Sequence, residues 1–439
     1  MEGMVSMYTF KEFYYKMNNP QGQDLILSGG LAGHMNHLYD NWYLTFNQIK
    51  DILTKASEGQ LEGTEKTDGQ NLFISYSVKD GTAKSARNKG NIKTGGMNVQ
   101  QLQQKFSGRG ALEQSFTDAL RIFEKAVRSL STDMQMRIFG QDADVWYNAE
   151  IMDPKTANVI NYDKRSLVIH RVGHAYFDKE TGEVTDVDIT QNVNALSKAI
   201  TDMQRAVADD NYYIAQNAVR KLSALSNKKP LNTALQNINS LMSQWGVNDN
   251  TTLKEYIYIR INNYITKVLS PSVLSIIDRD ALIGRIMGEQ GYNVTQIVKP
   301  LEKTEKEVVK DLVKQGKHIL KQSIIPLENI IHDFAVEILK GVQSLYIINN
   351  QKEVKRLQKE VETAIRAIEN SSNETAHEVL KQQLQKIKSV DKINTAIEGF
   401  VFDYNGYSLK LVGNFAPVNR LLGLFKYGRA GVDPSEFSK

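Results

Sequence analysis

The stretch EKTDGQNLFISYSVKDGTAKSAR, residues 65–87, decides how the chain is read. Leu72, Ile74, Tyr76 and Val78 alternate with other residues, the period of a half-buried strand, and Asp80-Gly81 is a favoured hairpin turn into a second strand. Working outward, Leu112, Phe116, Leu120, Phe123 and Val127 recur at helical spacing, and the Met134–Met152 and Ser166–Tyr176 stretches return to strand-like sequence. Upstream, Thr45 precedes Phe46, Ile49, Ile52 and Leu53, one face of a helix that breaks at Gly59, and Thr9 with Glu12 matches a capping box. Together these segments predict an antiparallel α+β domain.

From about Asp188 to Ile393 the pattern is helical almost throughout, divided at SNKKP, GVNDN, SPS and SSNET. Val354, Leu357, Val361, Ile365 and Ile368 form a narrow seam suited to helix pairing, so a helical hairpin is expected across SSNET. Ala396–Phe402 and Tyr407–Val412 then read as strands joined at Asn405-Gly406, a second favoured turn. Sheet, long helical excursion, sheet: this order predicts a bundle inserted into the first domain. The expected division is a helical lead-in (1–60), the first part of the α+β domain (61–187), the inserted helical domain (188–393), a closing hairpin (394–415) and a tail (416–439).

The 439 residues, 24% charged and 41% hydrophobic, exclude a disordered or fibrous chain and suit two or three domains. The absence of cysteine removes disulfides, thiolate metal sites and thiol nucleophiles, as expected in a reducing compartment. No apolar run reaches membrane-spanning length and the first residues do not resemble a secretory signal, so a cytoplasmic protein is expected. The net charge of +4 leaves room for only a local basic groove facing a polyanion.

Chemistry concentrates in Glu65-Lys66-Thr67-Asp68-Gly69, followed by Ser85-Ala86-Arg87-Asn88-Lys89-Gly90, Asn148-Ala149-Glu150-Ile151-Met152, Glu398-Gly399-Phe400-Val401 and Leu409-Lys410-Leu411-Val412. In this order the five segments resemble the covalent nucleotidyltransferase superfamily of polynucleotide ligases and capping enzymes, most of all the phage-type ATP-dependent RNA ligases. The resemblance spans about residues 60–180 and 395–415. It implies a ligase-type adenylation domain whose lysine, Lys66, attacks the α-phosphorus of ATP and holds AMP through a phosphoramide bond. It further implies that Glu65 helps recognise adenine and that Asp68 and Gly69 shape the nucleotide loop. Arg87 would clamp phosphate, Glu150 and Glu398 would bind ribose or position Mg²⁺ (or Mn²⁺), and Lys410 would neutralise the α-phosphate. The implied partner is nucleic acid, specifically RNA ends joined 5′-phosphate to 3′-hydroxyl, in the cytoplasm of a phage-infected host. An ordinary lysine is protonated at neutral pH, so desolvation or a neighbouring positive charge is expected to activate Lys66.

Three departures stand out. The family's last motif usually carries two lysines separated by one residue, whereas Val412 stands at the second position. About 27 residues follow it, too few for the OB-fold of DNA ligases and capping enzymes, which favours RNA ligase. Nothing in the family pattern accounts for the roughly 200-residue helical excursion. A nucleotidyltransferase with another acceptor, or a non-catalytic binding protein retaining the fold, are the competing readings.

Each residue also has a plainer reading. Lys66 could sit exposed in a Thr-Asp-Gly turn, Arg87 with Lys84, Lys89 and Lys93 in a solvated loop, Glu150 in a structural ion pair, and Gly399 at a strand bulge. His34 and His37 read as a hydrogen-bonded pair rather than metal ligands, and His170 and His174, on strand-like sequence, as pocket-lining residues. The mixed charges of Lys306–Lys321 and Lys352–Lys359 read as solvated helix faces.

Overall fold

The computed structural model describes residues 36–171, 174–185, 189–342 and 350–426. The Thr9–Glu12 capping box and His34 lie outside them. The architecture is mixed α and β, with two largely antiparallel sheets and many helices. The strands are β1 (Asn36–His37), β2 (Glu62–Lys66), β3 (Gln70–Ser77), β4 (Thr82–Ala86), β5 (Val145–Met152), β6 (Ser166–Ile169), β7 (Ala175–Asp178), β8 (Glu183–Thr185), β9 (Tyr213–Gln216), β10 (Arg220–Lys221), β11 (Gly399–Tyr404) and β12 (Tyr407–Leu411). The first sheet runs β1-β12-β11-β2-β10 and the second β4-β3-β5-β6-β9, with β7 and β8 continuing from β5.

Both predicted hairpins form. Asn405 (φ 49°) and Gly406 (φ 81°) are both left-handed, the conformation of a two-residue type I′ turn. The first hairpin differs from expectation: its loop has four residues, Val78–Gly81, and only Gly81 is left-handed (φ 66°). The Phe46–Ser57 helix starts where expected, with Gln48 N–H donating to Thr45 Oγ1 (3.2 Å) and Thr45 N–H donating to Gln48 Oε1 (2.9 Å).

Met134–Phe139, expected as strand, belongs to the Thr132–Phe139 helix. Met134, Met136 and Ile138 imitate strand alternation, but Ser131 caps the Met134 N–H (3.3 Å) and the Gln135 amide donates to the Val127 and Leu130 carbonyls. The stretch after Asp188 is not helical throughout either. The Thr190–Ala206 helix packs into the core of the second sheet, β9 joins that sheet parallel to β6, and β10 pairs with β2. Continuous helix begins only at Lys229. The Asn350–Glu369 and Glu374–Ile387 helices form the expected hairpin, and the 416–439 tail instead begins with the Phe415–Lys426 helix packed against them.

The excursion is not a free-standing bundle. One core joins Phe400, Phe402, Leu409 and Leu411 of the closing hairpin to Ile49 and Leu53 and to Ile331, Phe334 and Ile338 of the Gly316–Leu339 helix. At about 1.5–3 kcal/mol per buried large apolar side chain, this shared surface binds the helices to the first sheet. The second sheet buries Leu72, Ile74 and Tyr76 against Phe116, Leu120 and Phe123 of the Ala111–Arg128 helix. Between β2 and β3 the chain passes from one sheet to the other through Thr67-Asp68-Gly69, and the candidate site forms at that passage.

Candidate active site

Lys66 ends β2, where it is in register with Gly399 of β11, so the residue before Gly399, Glu398, reaches it directly. Lys66 Nζ and Glu398 Oε1 form an ion pair whose side chains are 21% and 14% exposed. β11 also pairs with β12, with Val401 opposite Lys410, and β12 pairs in parallel with β1, with Lys410 opposite His37. The second sheet supplies Glu150 from β5, opposite Asn71 of β3. Segments from both ends of the described chain thus converge on one amine.

Asp68 is 7% exposed and its Oδ2 accepts from the backbone N–H groups of Val159 (2.8 Å) and Ile160 (2.7 Å). Its own N–H donates to the Tyr162 hydroxyl (2.8 Å). Gly69 is required by a close approach: a Cβ there would lie 2.7 Å from the Ile151 carbonyl oxygen and 2.8 Å from Glu150 Oε2. This steric requirement lies inside the chain and is separate from the approach to nucleotide expected for the glycine. Glu65 is buried, and its carboxylate helps push the Tyr162 hydroxyl well above its ordinary range, after burial and Asp68. Arg87 donates to the Asn71 carbonyl (2.6 Å), lies 5.2 Å from the Phe116 ring centroid and feels the charge of Glu150.

The electrostatics correct one expectation. Burial alone would lower the pKa of Lys66, but Glu398, Glu150 and Asp68 together outweigh it, so the amine is held protonated above its usual value. Burial pushes the Glu398 carboxyl up to about 7, with Asp68 and Glu150 adding to the rise and Lys66 opposing it. Lys410 moves the other way, lowered by burial and by the like charge of Lys66.

Glu150 Oε1 lies 3.7 Å from His170 Nε2, while Glu150 Oε2 is buried with no hydrogen-bond partner among the described residues. A buried carboxylate oxygen left in this way suits a cation. Among the described residues no group of three or more acidic or histidine side chains forms a metal cage. Two carboxylates, Glu150 and Glu398, still fit Mg²⁺ or Mn²⁺, since Mg²⁺ is commonly held by one or two carboxylates together with substrate phosphates.

The structure therefore gathers Lys66, Asp68, Glu150, Glu398 and Lys410, keeps Glu65 buried beside Tyr162, and leaves Arg87 at the edge. His170 lines the site as expected, hydrogen-bonded to Asn217 (2.9 Å), whereas His174 is 9% exposed and accepts from the Asn148 N–H (3.2 Å). Of the expected His34–His37 pair, His34 lies outside the described residues; His37 itself stacks on Tyr39 (4.7 Å), and burial, then Lys410, Lys66 and Lys386, push it down to about 3, so it stays neutral. Tyr162, Asn217 and Lys386 were missed, since no local pattern marks a residue that arrives by tertiary folding alone. No helix among the described residues is long and apolar enough to cross a membrane. No model of a known protein family matches this chain, and neither any curated protein nor any solved structure does.

Proposed function

We propose that this protein is an ATP-dependent nucleotidyltransferase that carries AMP on Lys66 and acts as a polynucleotide ligase on RNA ends. The observation that carries the reading is the meeting of Lys66, Glu398, Glu150, Asp68 and Lys410 around a single largely buried amine. These are the residues, in the order, that the resemblance to RNA ligases puts forward.

In the reaction the Lys66 nitrogen forms a bond to the α-phosphorus while the bond from that phosphorus to the bridging oxygen breaks, and the electron pair leaves on pyrophosphate. Lys66 first has to lose a proton. The surrounding carboxylates hold that proton more tightly than on an ordinary lysine, so a nearby acceptor is needed. Glu398, already in contact and raised to about 7, is placed to accept that proton. Lys410 meets negative charge growing on the phosphoryl oxygens. Mg²⁺ held by Glu150 with the ATP phosphates, and by Glu398 only when that carboxylate is not carrying the proton, would supply further countercharge to the leaving group. Asp68, pinned by two backbone N–H groups, fixes the loop carrying Lys66. AMP then passes to an RNA 5′-phosphate, and a 3′-hydroxyl displaces it as the strand is sealed.

The test is incubation of the chain with α-labelled ATP and Mg²⁺, followed by denaturation. Label that remains on the protein and vanishes in Lys66→Ala supports the reading, and conversion of 5′-phosphorylated RNA to joined product completes it. Unlabelled protein overturns it, and label without joining moves the acceptor to another molecule.

A further inference from the structure

Beside Lys410 lies a cavity of about 80 Å³ that the second sheet does not touch. His37, Glu328, Lys386, Lys410, Val412 and Arg420 line it, so its walls come from β1, from the β12 end, from the Gly316–Leu339 and Glu374–Ile387 helices and from the Phe415–Lys426 helix. At about 10–15 Å³ for each water centre, the space holds several waters, the scale of a phosphoryl or diphosphoryl group.

Its charge is unbalanced. Lys386 pairs with Glu328 (2.5 Å), but Lys410 and Arg420 form no salt bridge among the described residues. Three cations and one carboxylate line the small space, with His37 neutral among them; Glu398 and Asp40 act on Lys410 from outside it, which leaves Arg420 the cation without a carboxylate in the lining or a salt bridge among the described residues. Like charges held together in a part-buried site repel unless an anion joins them. His332, 7% exposed, also lines the cavity, and its buried Nε2 has no hydrogen-bond partner among the described residues. Val412, where the resembled family has its second lysine, is on the same wall, and Lys386 from the helical excursion stands in the cavity it lines.

We propose that this cavity binds a phosphoryl oxyanion, with Lys386 and Arg420 supplying the cations that the closing hairpin lacks beside Lys410. The oxyanion comes either from the pyrophosphate leaving ATP or from the 5′-phosphate of a strand, and that choice of sources rests on the function proposed above. Glu328 holds Lys386 in the unliganded site and competes with the anion for it.

The experiment measures direct binding to the full chain without ATP, at fixed ionic strength, by titration calorimetry. The probes are inorganic pyrophosphate and a 5′-phosphorylated dinucleotide with its unphosphorylated form as control. Expected results are about tenfold or greater weakening in Lys386→Met and in Arg420→Met, near-normal binding in Lys386→Arg, and tighter binding in Glu328→Gln, which frees Lys386. Lys388→Met, an exposed pair with Asp333, serves as the neutral control. The opposite signs for Lys386 and Glu328 separate anion binding from general damage to the fold. Binding of pyrophosphate alone identifies the leaving group, and discrimination by the 5′-phosphate identifies the strand. Absence of binding by both probes, or equal binding in Lys386→Met, Arg420→Met and the unaltered chain, overturns the proposal. A chain that takes no label on Lys66 yet binds pyrophosphate through Lys386 refutes the nucleotidyltransferase reading and leaves the cavity standing. Label on Lys66 with binding indifferent to Lys386 does the reverse.

Discussion

Removing the Lys66 amine should destabilise the protein in a way that depends on pH, because its partner is a largely buried carboxylate. Glu398 has its folded pKa raised from 4.5 to about 7, so ionisation works against folding. Its contribution to stability is complete below pH 4.5 and is lost as pH rises through 7, a difference of about 3 kcal/mol at 1.36 kcal/mol per pH unit. Lys66 is the main opposing charge. In Lys66→Ala the Glu398 pKa rises further, and at pH 8 the fold must either bury an unpaired carboxylate or hold a proton against the solvent. Holding that proton at pH 8 costs about 5 kcal/mol at 1.36 kcal/mol per pH unit above 4.5, against about 3 in the unaltered chain, so the pH-dependent part of the loss is about 1–2 kcal/mol, added to the lost hydrogen bond. At pH 5.5 Glu398 is protonated in both chains, and the cost falls to that of a lost hydrogen bond, about 1 kcal/mol. For a cooperative unit of 150–250 residues, at roughly 2–4 °C per kcal/mol, the melting midpoint drops by about 5–10 °C at pH 8 and by about 2–4 °C at pH 5.5. Adding Glu398→Gln to Lys66→Ala removes the charge and restores most of the pH 8 loss. Scanning calorimetry of the three variants at both pH values measures this, and an equal loss at the two pH values, or no recovery in the double variant, refutes the argument.

Other outcomes follow from the same geometry. Labelling of Lys66 accelerates as pH rises through about 7, where Glu398 becomes a proton acceptor, and a rate flat from pH 6 to 8 contradicts that role. Gly69→Ala forces a methyl against the Ile151 carbonyl and Glu150, costing about 1–3 kcal/mol in urea unfolding and depressing label uptake at saturating ATP. Tyr162→Phe removes the acceptor for the buried Asp68 N–H and costs about 1–3 kcal/mol, checked by the same unfolding curve. By contrast Lys314→Ala, which breaks only the solvent-screened Lys314–Asp311 pair at the surface, leaves the urea midpoint unchanged.

Legibility in the sequence followed the range of the interaction. Both hairpins were readable because glycine marks each turn locally, although only Asn405-Gly406 makes the two-residue turn expected, and the Ala111–Arg128 helix because its apolar stripe repeats over many turns. The strands β9 and β10 were not: four and two residues are too few to establish a period, and their pairing with β6 and β2 is set by the sheets they meet. The Thr132–Phe139 helix hid behind an accidental alternation, settled by its cap. Within the site, Lys66, Glu150, Glu398 and Lys410 were named from the order of their segments, but neither the charged state of Lys66 nor the approach of Lys386 and Arg420 could be read. Both depend on which charges fold next to which, and burial decides that.

The pairing of β2 with β11 also sets a schedule for synthesis. The strand that ends in Lys66 finds its neighbour only after some 330 further residues have left the ribosome, roughly 15–70 s at ordinary translation speeds. Until then Lys66 lacks Glu398 and Lys410 alike. In a chain released before that hairpin is made, Lys66 has neither partner, and whatever chemistry the assembled centre performs is withheld until Gly399–Leu411 has been synthesised.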